Sequence, residues 1–225
     1  MRYSTGPSSF LCCVVSLALM LASTTDLSFA QCRSNTSECS INSDCCSGLC
    51  MQPSPGCHTQ LCPTAQCLGN SGTVNLKTLN GNFLTAVNGG GVGGPNFGPG
   101  LAAIHTDATT QQVAETFTCT TTLPNTITFQ TNDGHFITAV KGGGIGGANA
   151  NPLQLHTDTT NAGPWEQFTI ITDNDGQCAL KTYDGHFVTA VNRGGWGDSD
   201  TANQFPIHTN AKTAGSWETF TIVAH

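Results

Sequence analysis

Three histidines recur along the chain, and each is followed two residues later by Asp or Asn. The histidines are 51 and then 52 residues apart, and the pairs are His105 with Asp107, His156 with Asp158, and His208 with Asn210. Three equivalent imidazoles could hold a zinc ion, and Asp or Asn side chains could hydrogen-bond to sugar hydroxyls. Because each histidine follows an apolar residue, we favour a structural role that ties a strand to the next turn, with sugar contact as the second interpretation. The Asp and Asn residues are interpreted equally as turn-closing groups and as sugar ligands, and no metal is predicted.

Three glutamates recur with the same period and raise the question of glycosidase chemistry. Glu115, Glu166 and Glu218 occupy equivalent positions two residues before a Phe. A pair of catalytic carboxylates needs two unlike environments, whereas equivalent positions in repeats provide like ones. The sequence also contains no nucleophile elbow and no HExxH motif. We therefore predict structural glutamates, no catalytic residues and no cofactor.

A glycine-rich segment occurs in each copy of the repeat, and the third segment contains a tryptophan. Trp196 stands among glycines where the equivalent segments carry Val92 and Ile145. An aromatic ring in such a loop is expected to be exposed and to stack on a sugar. The open side of the loops is expected to present backbone donors to a ligand. Trp165 and Trp217, which precede two of the recurring glutamates, are instead predicted to plug the hydrophobic core.

The elements that position these residues follow from a repeat of about 50 residues that occurs three times. Each copy contains Gly-x-Phe, an aliphatic residue and Thr-Ala-Val, and the copies of this motif begin at Gly81, Gly134 and Gly185. Short alternating runs lie on either side of an Asn-Gly or Asp-Gly pair, which predicts β-hairpins. No long stretch has helical periodicity. The sequence therefore predicts an all-β architecture with pseudo-threefold symmetry.

This motif, with the Trp-Glu-x-Phe segment that follows it, resembles fascin-like β-trefoil domains over residues 74–225. The resemblance implies a six-stranded barrel capped by three hairpins. The recurring phenylalanines are expected to be buried around the barrel axis, namely Phe83, Phe117, Phe136, Phe168, Phe187 and Phe220. Cys119 and Cys178 fall at inward-facing positions, and we predict a disulfide between them, with two buried thiols as the alternative.

Residues 1–30 have the features of a secretory signal. Arg2 precedes an apolar run from Phe10 to Ala22, and the small residues Ser28 and Ala30 mark a cleavage site. The run is too short to span a bilayer comfortably. The chain is therefore predicted to be exported, to the extracellular space or cell wall, without membrane insertion. Lys and Arg number 7 against 14 Asp and Glu, and the lack of a basic stripe argues against nucleic-acid binding.

Residues 31–69 form a predicted Cys-rich module, joined to the repeats by a polar linker at residues 70–73. The module has no aromatic residue, so disulfides rather than a core are expected to stabilise it. Its eight cysteines are Cys32, Cys39, Cys45, Cys46, Cys50, Cys57, Cys62 and Cys67. Their spacing leaves the connectivity open. Asn35 begins the single N-glycosylation sequon of the chain.

The cysteine spacing resembles the inhibitor cystine-knot, or knottin, framework, including the adjacent pair Cys45 and Cys46. The resemblance implies a cystine-knot-like module in which Cys32 pairs with Cys46, Cys39 with Cys50 and Cys45 with Cys57, leaving Cys62 for Cys67. A hevein-type chitin-binding module is disfavoured, because the aromatic residues that would stack on sugars are missing.

Export, sparse charge and a threefold fold together favour a non-catalytic protein that binds an extracellular polysaccharide or other glycan. The alternative is a protein-directed role, such as protease inhibition by residues 51–55 of the Cys-rich module, with a secreted protein as partner. Actin crosslinking is implied by the fascin resemblance, but the secretory signal argues against it.

Overall fold

The computed structural model describes residues 50–51, 66–67, 71–93, 102–123, 126–146, 154–172, 177–197 and 205–224. The predicted secretory signal and the Asn35 sequon lie outside these ranges, as do Cys32, Cys39, Cys45, Cys46, Cys57 and Cys62. Cys50–Met51 (β1) and Gln66–Cys67 (β2) form an antiparallel pair with Cys50 opposite Cys67. The disulfide connectivity of the module stays a prediction. In the described ranges, no helix is long and apolar enough to cross a membrane.

Six strands of the repeats close into a barrel. They are Ser71–Thr78 (β3), Thr116–Leu123 (β6), Thr126–Gln130 (β7), Phe168–Thr172 (β10), Cys178–Lys181 (β11) and Phe220–Ala224 (β14). Each strand is antiparallel to both neighbours in the order β3, β6, β7, β10, β11, β14 and back to β3. Closure pairs every strand of the ring on both sides, so the barrel has no open edge.

Three hairpins attach to this barrel, one from each repeat. They pair Phe83–Ala86 (β4) with Ile104–Ala108 (β5), Phe136–Ala139 (β8) with Leu155–Thr159 (β9), and Phe187–Ala190 (β12) with Ile207–Ala211 (β13). Strands β5, β9 and β13 contact one another, so the hairpins cap one end of the barrel. This arrangement is a β-trefoil, which confirms the predicted fold class for residues 74–224. Repeat 1 comprises β3–β6, repeat 2 β7–β10, and repeat 3 β11–β14.

Short 3₁₀ turns complete the repeats. They span Val87–Gly89, Val113–Glu115, Val140–Gly142, Pro164–Glu166 and Val191–Arg193. The predicted Asx-Gly turns are also present, because Gly81, Gly134 and Gly185 have φ of 95°, 91° and 93° at the connection between the first two strands of each repeat. Glycine adopts such positive φ values without the steric cost that other residues bear.

The polar linker is shorter than predicted. Residues 71–73 begin β3, and Ser71 lies opposite Thr120 of β6. Strand β6 is eight residues long, so its backbone groups extend far enough to pair with these residues. Composition alone suggested a hinge, whereas the pairing extends the barrel strand through it.

The last strand of each repeat contributes one of the six predicted phenylalanines to the hydrophobic core. Phe117, Phe168 and Phe220 are almost fully buried in one central cluster. Phe83 and Phe187 are also buried, as predicted, although they lie outside the central cluster, whereas Phe136 is only half-buried. These three residues begin the hairpin strands β4, β8 and β12 at the rim of the barrel.

The predicted disulfide between Cys119 and Cys178 is wrong. Both residues are buried in the central cluster, but no bridge joins them. Cys119 lies on β6, which pairs with β3 and β7, whereas Cys178 lies on β11, which pairs with β10, β12 and β14. The two strands are not neighbours in the barrel. Burial raises the pKa of the Cys119 thiol to about 12, so it stays protonated and behaves as a small apolar group.

Candidate functional site

The glycine-rich loops join each repeat to the next one around the barrel. Residues 89–93 of repeat 1 lie on repeat 2, residues 142–146 of repeat 2 lie on repeat 3, and residues 193–197 of repeat 3 lie on repeat 1. We call these contacts junctions A, B and C, in that order. Each junction brings a loop against the Asx-Gly turn and the His-Thr-Asx segment of the following repeat, so it assembles side chains from two repeats.

Backbone hydrogen bonds to one buried threonine hold each junction. In junction A, the Gly91 N–H donates to the Thr157 carbonyl at 2.7 Å, and the Thr157 N–H donates to the Val92 carbonyl at 2.7 Å. The Thr157 hydroxyl accepts from the Val92 N–H at 3.1 Å. Thr209 in junction B and Thr106 in junction C make the same contacts. The expectation that these loops present backbone donors to a ligand is therefore not met at these N–H groups.

The histidines predicted as candidate ligands lie beneath the same loops. His105, His156 and His208 are half-buried in β5, β9 and β13. A Cβ added to Gly93 would lie 2.8 Å from the His156 ring, so only glycine lets the loop approach this closely. Burial lowers the pKa of His156, despite the opposing effect of Asp158, and also lowers the pKa of His208. The close approach of the loop to His156 and the lowered pKa of His156 and of His208 fit the structural interpretation.

The Asp and Asn partners of these histidines remain open to solvent. Asp107, Asp158 and Asn210 are exposed on the strand after each histidine. The Nδ1 atom of His156 lies 3.6 Å from Asp158 Oδ1, and the matching distance from His105 to Asp107 is 3.9 Å. These three side chains, and the histidines beside them, stay predicted sugar ligands. Among the described residues, no group of three or more His, Cys, Asp or Glu side chains is placed to hold a metal ion.

Two junctions contain a second Asp–His pair, in the Asx-Gly turn. His135 Nδ1 lies 2.9 Å from Asp133 Oδ1 in junction A, and His186 Nδ1 lies 3.0 Å from Asp184 Oδ2 in junction B. Burial acts to raise the pKa of both aspartates, but hydrogen bonds from the neighbouring Thr and His outweigh it and lower the pKa. Junction C has Asn80 and Asn82 at these positions and therefore lacks the carboxylate.

The recurring glutamates have the structural role that the sequence predicted. Glu115 and Glu218 each accept a threonine hydroxyl, from Thr85 at 2.8 Å and Thr189 at 2.7 Å. Their second carboxylate oxygens accept backbone N–H groups at the start of the turn, and Glu166 accepts the Gly163 N–H in the same way. All three are buried. Each carboxylate thus caps a tight turn.

Trp196 lies in junction C, but it is less accessible than predicted. Its side chain is half-buried. Its N–H donates to the Thr106 hydroxyl at 3.2 Å, and its carbonyl accepts the Thr106 N–H at 2.7 Å. The backbone of Trp196 therefore holds the junction, and stacking of its ring on a sugar stays a prediction.

The exposed aromatic surface lies instead at junction B. Trp165 is 46% exposed and Tyr183 is 66% exposed. A Cβ added to Gly142 would lie 3.5 Å from atoms of both rings, so the two rings flank one point of the backbone. The prediction that Trp165 and Trp217 plug the core is wrong, since Trp217 is also 41% exposed. Each tryptophan lies in an outward-facing turn. In each of these turns the glutamate is buried and the tryptophan is exposed.

Comparison of the three junctions shows which residues the fold does not require. Trp165, Gly142 and Tyr183 of junction B correspond to Ala114, Gly89 and Asn132 in junction A and to Trp217, Arg193 and Leu79 in junction C. All three junctions fold alike although junction A lacks both aromatic rings. This divergence is visible in the aligned repeats and could have identified Trp165 and Tyr183, but from the sequence Trp165 was assigned to the core and Trp196 was selected instead.

Comparisons with known proteins support the fold. No family model matches the chain, and no curated protein matches it. Among solved structures, the chain is similar to ThreeFoil, a designed 3-fold symmetric protein, with a TM-score of 0.53 and 11% identity over 68% of this chain and 99% of that chain. At these identities the similarity shows the β-trefoil fold alone, and the fascin-like and knottin-like resemblances stay predictions.

Two larger proteins contain a similar unit. The exo-β-1,3-galactanase 1,3Gal43A from Clostridium thermocellum matches with a TM-score of 0.51 and 13% identity over 68% of this chain and 30% of that chain. A mosquitocidal holotoxin matches with a TM-score of 0.50 and 9% identity over 72% of this chain and 19% of that chain. The similar region is thus a small part of both proteins.

Proposed function

We propose that this protein is a secreted, non-catalytic glycan-binding protein whose β-trefoil binds a neutral extracellular or cell-wall polysaccharide at junction B. The observation that carries the proposal is the exposed pair Trp165 and Tyr183 on either side of Gly142. The fold does not require these rings, since junction A forms without them. Two adjacent exposed aromatic side chains indicate a binding surface.

The chemistry of the pair suits the apolar face of a pyranose ring. An aromatic face attracts C–H groups through its negative quadrupole, and the tyrosine hydroxyl and indole N–H can bond to sugar hydroxyls. The similarity of the trefoil to part of an exo-β-1,3-galactanase makes a β-1,3-linked galactan a rational first probe.

The absence of catalysis is part of the proposal. The glutamates, which are the buried carboxylates among the described residues, are committed to capping turns. Of the two proposed binding rings, Trp165 lies in the turn that Glu166 caps, where it is exposed while the glutamate is buried. The protease-inhibitor alternative concerns residues 51–55, most of which lie outside the described ranges, and it stays a prediction.

The test is binding of the mature chain, residues 31–225, to neutral polysaccharides on a glycan array, followed by titration with the best oligosaccharide. We expect Trp165→Ala and Tyr183→Ala each to weaken affinity about two- to thirteenfold, from ~0.5–1.5 kcal/mol per ring. Ile171→Thr is the matched control, because Ile171 is an exposed apolar residue on β10. No binding of the wild type to any polysaccharide would refute glycan binding, and unchanged affinity of both variants would refute this site.

A further inference from the structure

We propose that junction C is a second saccharide site, which binds an acidic sugar through Arg193 and Trp217. The proposal rests on the proposed function in that it assumes a glycan-binding trefoil, but it concerns another junction and another ligand class. The ligand is a uronic acid within a polysaccharide: its carboxylate binds the Arg193 guanidinium, and its ring stacks on Trp217.

The backbone of Arg193 is the first argument. Arg193 has φ of 67° and occupies the position of Gly142 and Gly89, which have φ of 85° and 83°. A non-glycine residue in this left-handed region is strained, and such strain persists mainly where function needs the residue. Two of the three repeats use glycine here, so the fold does not require a side chain at this position. An arginine held against this steric cost indicates a role for the guanidinium.

The position of the side chain is the second argument. At the equivalent point of junction B, a Cβ would project between Trp165 and Tyr183. The N–H of the turn residue donates to the carbonyl of this position in both junctions, from Asn80 to Arg193 at 3.3 Å and from Asp184 to Gly142 at 3.0 Å. The shared backbone therefore directs the Arg193 side chain between Trp217 and Leu79, which are 41% and 40% exposed.

Charge is the third argument. Arg193 is exposed, and among the described residues no carboxylate lies within ion-pair distance of it. Junctions A and B carry a carboxylate in the turn beside the loop, whereas junction C carries Asn80, whose side-chain amide donates to the Gly194 carbonyl at 2.8 Å. Among the described residues of this junction, the remaining carboxylate is Asp107, which faces Gly197 at the far end of the loop. The surroundings of Arg193 thus favour an anion.

The guanidinium of Arg193 indicates that the anion is the carboxylate of an acidic sugar. A guanidinium presents a planar fork of N–H donors that matches the two oxygens of a carboxylate. Trp217 adds an aromatic surface for the ring that carries the carboxylate. Junction B has Gly142 at this position, so no cationic side chain projects from it between the two rings. The two junctions should therefore discriminate neutral from acidic sugars.

The test is titration of the mature chain with an oligogalacturonate and with its methyl ester, which has the same rings without the charge. We expect the wild type to prefer the free acid, and Arg193→Gly to lose at least tenfold in affinity for it. Arg193→Gly should also raise the melting temperature, because glycine removes the backbone strain, so lost binding cannot be ascribed to unfolding. Trp217→Ala should weaken binding of both the acid and the ester.

Lys141→Asn is the matched control. Lys141 is an exposed cation with φ of 57° in the loop of junction B, and Asn88 and Asn192 occupy its position in the other repeats. This variant removes one positive charge and should leave oligogalacturonate affinity unchanged. Equal losses in Lys141→Asn and Arg193→Gly, or no loss in Arg193→Gly, would overturn the proposal. If the wild type binds neutral glycan through Trp165 but not the acid, this inference fails while the proposed function stands.

Discussion

At the scale of single residues, three equivalent Thr–Glu positions differ in one hydrogen bond. The Thr189 hydroxyl donates to Glu218 Oε1 at 2.7 Å, and Thr85 donates to Glu115 at 2.8 Å. The equivalent Thr138 hydroxyl is buried and has no partner in the described part of the chain. A buried hydroxyl without a partner bears its desolvation cost uncompensated. The repeats therefore provide a natural control for the value of this bond.

Replacement of Thr189 by Val should lower the free energy of unfolding by about 1.5–3 kcal/mol, because a hydrogen bond to a buried carboxylate is lost. Thr138→Val should be neutral or stabilising, since it replaces an unsatisfied hydroxyl by a methyl group of similar size. Urea unfolding of both variants measures the difference. Equal destabilisation by the two substitutions would show that the Thr189–Glu218 bond contributes nothing specific.

At the scale of elements, the glycine-rich loops determine how closely one repeat approaches the next. Gly143 has φ of 119° and ψ of −161°, a conformation that is essentially confined to glycine. A Cβ there would overlap Thr182 and Asp184. Gly89 also has positive φ, at 83°, but a Cβ there would meet no atom within 4 Å. The two glycines thus separate backbone strain from steric overlap.

Gly143→Ala should destabilise the trefoil by about 3 kcal/mol or more, from ~1–3 kcal/mol of strain and ~1–3 kcal/mol of overpacking. Gly89→Ala should cost about 1–2 kcal/mol, from the left-handed backbone alone. Thermal or urea unfolding of the mature chain provides the comparison. A Gly143→Ala variant as stable as Gly89→Ala would mean that junction B is looser than its close contacts indicate.

The sequence predicted elements better than it predicted the surface. The Asn-Gly and Asp-Gly pairs identified the hairpin turns because their chemistry is local. The loops were correctly predicted to need positive φ, but their contacts with the next repeat could not be predicted, because those contacts depend on closure of the barrel. Trp165 was assigned to the core because it stands shortly before the core residue Phe168, although its side chain is exposed and the adjacent Glu166 is buried.

At the scale of the whole molecule, the repeat period and the alternating runs predicted an all-β architecture with pseudo-threefold symmetry, and the resemblance to fascin-like domains implied the β-trefoil. The error about Cys119 and Cys178 arose because alternation of apolar and polar residues predicts which side chains of a strand face the core, but not which strands are neighbours. Both residues do face the core, but the strand order around the ring separates them. The error about Phe136 arose in the same way, since its register does not reveal that β8 begins at the rim.

The stability of the whole fold should fall as the pH falls below about 6.5. Burial holds the pKa of His156 and of His208 below the ordinary imidazole value of 6.5, so the unfolded chain binds these protons first and unfolding becomes easier as the pH falls. Asp133 and Asp184, whose pKa is lowered, affect stability only at a lower pH. The stability that these carboxylates contribute is complete above pH 3.8 and is lost as the pH falls through their folded-state pKa. Between about pH 7.5 and about pH 5, titration of the two histidines therefore dominates the change in stability.

We expect the melting temperature to decrease across this range, and the double substitution His156→Gln and His208→Gln to flatten the decrease. A wild-type melting temperature that rises on acidification would contradict the burial of these imidazoles beneath the loops.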